Sequence, residues 1–174
     1  MFQLEQAIRQ FNAMYKMPVN DLPTLSPTDE PVTERLTKFK TILINEINEI
    51  DDIIAKAKAM SPLSNTGTAN DVEVLTDLAD LLGDIQVYCA SEMLKFGLPL
   101  DKVLHLIMMS NFSKLMADGT AMFDENDKLQ KGPNYWKPEP YIAQMLTEHF
   151  KEAQRNVPLP TVGPSASMSP IVMP

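Results

Sequence analysis

DVEVLTDLADLLGDIQVYCASEMLKF, residues 71–96, is the stretch whose reading decides the fold. Set on a helix with Val72 at zero, Asp80, Glu73, Asp84 and Asp77 fall at roughly 80°, 100°, 120° and 140°. Val87 and Tyr88 flank this group, and Leu81, Val74, Ile85, Leu78, Cys89, Leu82, Leu75 and Ala90 occupy most of the remaining circumference. The result is an apolar rod with one narrow acidic stripe, the reverse of an ordinary surface helix with its wide polar face. A carboxylate that loses water needs a partner or a cation, because burying it ionised costs several kcal/mol.

The segment before it answers this pattern. A helix capped by Thr28 or Asp29 is expected to run to about Met60. With Ile42 at zero, Ile53, Glu46, Ile50, Leu43 and Ile47 lie near 20°, 40°, 80°, 100° and 140°, each to within roughly 20°. Glu46 therefore falls inside the apolar arc and Glu49 at its edge, whereas Asn48, Asp51, Asp52 and Lys56 are expected to face solvent. Lys38, Lys40, Lys56 and Lys58 are expected to flank the acidic centre without entering it. If Glu46 and Glu49 face Asp77 and Asp80, four oxygen donors converge, a set suited to Mg²⁺ or Mn²⁺. The plainer reading of any single acid here, Asp71 above all, is a solvated helix face, and Glu73 also suits a helix start.

Further out, Leu4, Ala7, Ile8, Phe11, Met14 and Tyr15 mark an amphipathic helix over 2–16, and Pro18, Pro23, Pro27 and Pro31 an irregular connector. Residues 61–70 read as a polar loop, and Gly97 as a left-handed helix stop. Pro99 and Asp101 open a fourth helix to about Met116, and a fifth covers about 140–154 after a long loop. With no period-two alternation, the expectation is an all-α bundle of about five helices with long antiparallel central ones. It should occupy residues 1–155, followed by a Pro-rich, disordered tail at 156–174.

The 174 residues carry 15 Lys+Arg against 23 Asp+Glu, a net charge of −8, which argues against general nucleic-acid binding. A lone Cys89 excludes an intramolecular disulfide framework and suits a reducing compartment. No basic leader or apolar run of about 18 residues is present, so a cytoplasmic protein that does not span a membrane is expected. The apolar outer circumference of the central helices further predicts a homo-oligomer, a dimer or tetramer.

Glu46-x-x-Glu49, 27 intervening residues and Asp77-x-x-Asp80-Leu81 resemble the metal motif of the all-α nucleoside triphosphate pyrophosphohydrolases, the MazG-like and phosphoribosyl-ATP pyrophosphohydrolase-like proteins. The usual form is Glu-x-x-Glu followed by Glu-x-x-Asp; Asp77 departs from it, shortening one arm in a way that Asp84 can compensate. Gly83-Asp84-Ile85, Phe96-Gly97-Leu98-Pro99, Ser110-Asn111-Phe112-Ser113-Lys114-Leu115, Asp118-Gly119 and Lys131-Gly132-Pro133-Asn134-Tyr135-Trp136-Lys137-Pro138 follow in the order seen there, so the likeness spans roughly 35–140. It implies a MazG-like fold and Mg²⁺-dependent cleavage of a nucleoside triphosphate between the α and β phosphates, releasing monophosphate and pyrophosphate. Under that implication Glu46, Glu49, Asp77 and Asp80 are the metal ligands, and Glu46, Glu49 or Asp84 orients the attacking water. Asn111, Lys114, Lys131, Tyr135, Trp136 and Lys137 would bind substrate. Capping of the fourth helix by Asn111 and Lys114, and cover of a core edge by the loop aromatics, are the plainer readings.

Three other readings compete with this one. A di-iron bundle needs Glu-x-x-His pairs, yet His105 and His149 follow Lys102 and Leu146 at that spacing, which rejects it. A non-catalytic nucleotide binder or helical adaptor stays open, as does a phosphoribosyl-ATP substrate.

Overall fold

The computed structural model describes residues 3–59 and 69–155. Its elements are α1 (Leu4–Met14), α2 (Val32–Ala59), α3 (Ala69–Lys95), α4 (Leu100–Phe112) and α5 (Pro138–Arg155). The described residues contain no strand, only an isolated antiparallel bridge between Phe123 and Leu129, so the all-α expectation is met. No helix among them is long and apolar enough to cross a membrane. Most of the expected 61–70 loop and all of the expected tail lie outside the described residues.

The helix ends differ from expectation for local reasons. α1 stops at Met14 because Lys16 takes φ 55°, with its N–H on the Ala13 carbonyl (3.2 Å) and the Met17 N–H on that of Asn12 (2.8 Å). α2 begins after Pro31, whose carbonyl accepts the Glu34 and Arg35 amides at 3.0 and 3.1 Å; Thr28 instead caps a tight turn through the Glu30 N–H. α4 ends at Phe112, short of Met116, and α5 opens on Pro138, whose missing N–H costs nothing in a first turn.

α2 and α3 run antiparallel: Arg35 meets Glu92 near one end and Lys56 meets Asp77 near the other. The core lies at the first of these ends. Ile8, Ala90, Leu94 and Leu100 are buried there, with Leu4, Val87 and Met93 packed around them. Polar groups are satisfied within it. The Asn12 carboxamide accepts the Ser91 hydroxyl at 2.7 Å and donates to the Ser91 carbonyl at 3.4 Å. Arg35 grips Glu92 through two nitrogens, and Lys95 reaches the same carboxylate at 3.3 Å.

The connector between α1 and α2 is strapped across the α3–α4 turn. Asn20 and Thr24 donate their amides to the Leu94 and Phe96 carbonyls, both at 3.0 Å. Gly97, at φ 65°, closes α3 as the sequence suggested: its N–H reaches the Leu94 carbonyl and the Leu98 N–H that of Met93. A Cβ at 97 would stand 2.0 Å from the Leu22 carbonyl oxygen, so the strap passes where only glycine leaves room.

Beyond this core the pair is thinly covered. Among its described residues α2 buries none, and Ile47, Ile50 and Ile54 form an exposed stripe along it. On α3, Val72, Leu75, Leu78 and Leu82 are likewise exposed, Leu75 at 62%.

Candidate metal centre

The antiparallel register sets the acids of α2 against those of α3 as a ladder. At its mouth Lys56 pairs with Asp77 and, at 3.1 Å, with Glu73. One turn in, Glu49 and Asp52 of α2 and Asp80 of α3 line a cleft of about 570 Å³ together with Ile53, Ala55, Lys56 and Asp77. Deeper still, Glu46 meets the charges of Glu49, Asp84 and Asp80 and a hydrogen bond from Tyr88.

The electrostatics follow from this crowding. Glu46 is half-buried, and desolvation first, then the like charges of Glu49, Asp84 and Asp80, push its carboxyl above the usual range; the Tyr88 bond pulls it partly back. Tyr88 is pushed up by burial and by Glu46 and Asp84, which keeps its phenol protonated as a donor. Lys56 is held more firmly protonated by its bonds to Asp77 and Glu73.

One expectation is corrected here. Lys56 does not stay outside the acidic centre; it reaches across from α2 and occupies Asp77. Asp52, expected on the solvent side, remains exposed but belongs to the cleft wall. The acids are also wetter than an inward-turned stripe suggests: Glu49, Asp80 and Asp84 are exposed, and only Glu46 and Asp77 are half-buried. Among the described residues no group of three or more His, Cys, Asp or Glu side chains is gathered closely enough to hold a metal ion. The donor chemistry nonetheless fits one, since every acidic group on the cleft is a carboxylate, the hard oxygen ligand that Mg²⁺ and Mn²⁺ take.

The six expected substrate contacts lie elsewhere. The segment after α4 folds back on it: the Ser110 hydroxyl donates to the Trp136 carbonyl (2.8 Å), the Trp136 N–H to the Ser113 hydroxyl (3.2 Å), and the Gly132 N–H to the Lys114 carbonyl (2.8 Å). A Cβ at Gly132 would meet the Leu115 carbonyl oxygen at 2.1 Å, which accounts for glycine there. The expected irregular loop contains a tight hairpin, with Asp124 accepting the Asn126 and Lys128 amides at 2.9 Å each. Lys114 donates to Asn111 (2.8 Å), Lys131 sits 4.6 Å over the Tyr135 ring, and the Trp136 and Tyr141 rings meet at a tilt with centroids 4.5 Å apart. Lys131 and Lys137 are exposed, and none of these six residues lines the acidic cleft.

Comparison with known proteins adds little to this geometry. No family model matches the chain, and no curated protein matches it. Among solved structures it is similar to a protein from Exiguobacterium sp. 255-15 described as a putative NTP pyrophosphohydrolase, at 23% identity and a TM-score of 0.46 over 87% of this chain and 98% of that one. A superposition of that quality carries neither fold nor activity across.

Proposed function

We propose that the chain is a Mg²⁺-dependent nucleoside triphosphate pyrophosphohydrolase that splits the bond between the α and β phosphates. The observation that carries this reading is the ladder itself: Glu46, Glu49, Asp77, Asp80 and Asp84, named from the motif, sit on two facing helices around one cleft or directly behind it. Their order along the chain, and that of the Ser110–Leu115 and Lys131–Pro138 segments, supports it through the resemblance described above.

In this reading Glu49, Asp77 and Asp80 hold the cation, with Glu46 completing the set. A bound divalent ion would neutralise phosphate charge and acidify a water. Asp84, or Glu46 in place of its ligand role, would take the proton of that water and aim it. Tyr88 donates a hydrogen bond to Glu46 and so restrains its carboxylate.

The chain meets this chemistry with one half of the apparatus on α2 and α3 and the basic, aromatic half on α4 and its loop. The exposed stripe of Ile47, Ile50 and Ile54 and the exposed Val72, Leu75, Leu78 and Leu82 are apolar surface of the kind a second copy covers. A homodimer or homotetramer is therefore part of the proposal, with Asn111, Lys114, Lys131, Tyr135, Trp136 and Lys137 as its nucleotide-binding groups.

Incubation of the full chain with a panel of nucleoside triphosphates and phosphoribosyl-ATP, with and without Mg²⁺, tests it. Pyrophosphate release that requires the metal is expected. Metal-independent nucleotide binding with no pyrophosphate from any substrate would establish the non-catalytic alternative instead.

A further inference from the structure

Lys56 is the feature of the cleft that the acid motif leaves unexplained. Its backbone belongs to α2, its ammonium sits on Asp77 and Glu73 of α3, and it lines both the acidic cleft and an adjoining hollow of about 220 Å³ with Asn70 and Val74. The pair is half in water: the Lys56 side chain is 44% exposed and that of Asp77 33%. Ion pairs at such exposure are weak and exchange readily, and an ammonium on a flexible stem can turn from one anion to another with little loss. Asp77 lies one turn before Asp80 on the same face, so the carboxylate that Lys56 occupies is one a cation in the cleft would also want.

We propose that Lys56 is an exchangeable counter-ion of this cleft: it occupies Asp77 and Glu73 in the empty chain, and passes to a phosphate oxygen when a metal-bound polyphosphate enters, releasing Asp77 as a ligand. The inference rests on the pyrophosphohydrolase reading and adds to it a positioning residue outside the acid motif. No bond is made or broken in the exchange; one ammonium changes anionic partner.

The test uses the full chain and two probes, Mn²⁺ alone and inorganic tripolyphosphate with Mg²⁺, each followed by titration calorimetry. Lys56→Met keeps the apolar stem and removes the charge. It should bind Mn²⁺ about two- to fivefold more tightly than the parent chain, the range a weak competing pair implies, and tripolyphosphate more weakly, with Lys56→Arg recovering part of the latter. Lys58→Met, which removes the same charge from an exposed neighbour outside the cleft, should leave Mn²⁺ affinity within twofold. Unchanged Mn²⁺ affinity in Lys56→Met, unchanged tripolyphosphate binding, or an equal effect in Lys58→Met overturns the exchange. If Asp80→Asn abolishes Mn²⁺ binding while Lys56→Met matches the parent, the exchange alone fails. If neither the parent nor Lys56→Met binds Mn²⁺, the metal site fails with it.

Discussion

At one end of the α2–α3 pair a guanidinium meets a carboxylate inside the core; at the other an ammonium meets two carboxylates in water. Arg35 and Glu92 have side chains 14% and 6% exposed, joined by a planar two-pronged contact, with Lys95 beside them. Lys56, Asp77 and Glu73 are at least a third exposed and joined through single oxygens. The first arrangement is permanent, because neither charge has water to return to. The second is replaceable, and it stands at the entrance to the cleft that Glu49, Asp77 and Asp80 line. On the proposed function, stability and chemistry fall to opposite ends of the same two helices.

The sharpest way to break that division is at the wet end. Glu49→Gln and Asp80→Asn should each lower pyrophosphate release by at least about a hundredfold, since even residues that only support a metal ligand are worth ten- to a hundredfold. Folding should be retained or improved, because each change removes one of several like charges. Activity like that of the parent in both variants would take these residues out of the site.

The dry end should respond oppositely. Arg35→Ala leaves Glu92 buried with only Lys95 beside it, and a loss of about 3 kcal/mol is expected by urea denaturation. Lys56→Ala, at the other end, should cost less than about 1 kcal/mol. Equal losses at the two sites would erase the distinction between the ends.

The smallest effect concerns Lys95. Burial first, and then the Arg35 charge, lowers its pKa, against the pull of Glu92. The folded chain therefore binds fewer protons than the unfolded one just below the usual lysine range, so stability should rise with pH across that window. Lys95→Met should flatten this alkaline rise and leave the neutral-pH stability within about 1 kcal/mol, as Arg35 still satisfies Glu92. Parallel pH profiles for the parent and variant would exclude the assigned cause.

Much of this division was written in residues 71–96. A period of 3.6 and a narrow acidic stripe were enough to place Asp77, Asp80 and Asp84 together, and Gly97 stopped α3 where a left-handed residue was expected. What the helical wheels lacked was register between helices. A wheel of α2 shows Lys56 pointing away from the apolar arc, but not that Asp77 and Glu73 of α3 lie opposite. The buried end was hidden for a different reason: Asn12, Ser91, Arg35 and Glu92 are residue types that usually face water, and only their mutual satisfaction lets them be inside. Asn12 carried only a weak signal, one turn after Ile8 and roughly 40° beyond it at the edge of the apolar stripe of α1. The α4 loop shows no contact with the acids: its described hydrogen bonds run to the end of α4, to the residues just after it and within the loop.

The crossing of Leu22 over Gly97 has a temporal consequence. A carbonyl seated against a bare α-carbon has no slack in which to wait, so the N-terminal strap has no seat until the turn that ends α3 has been synthesised and closed. The connector between α1 and α2 is then among the last parts to settle, and a side chain at position 97 would leave it without a seat after the helices had assembled.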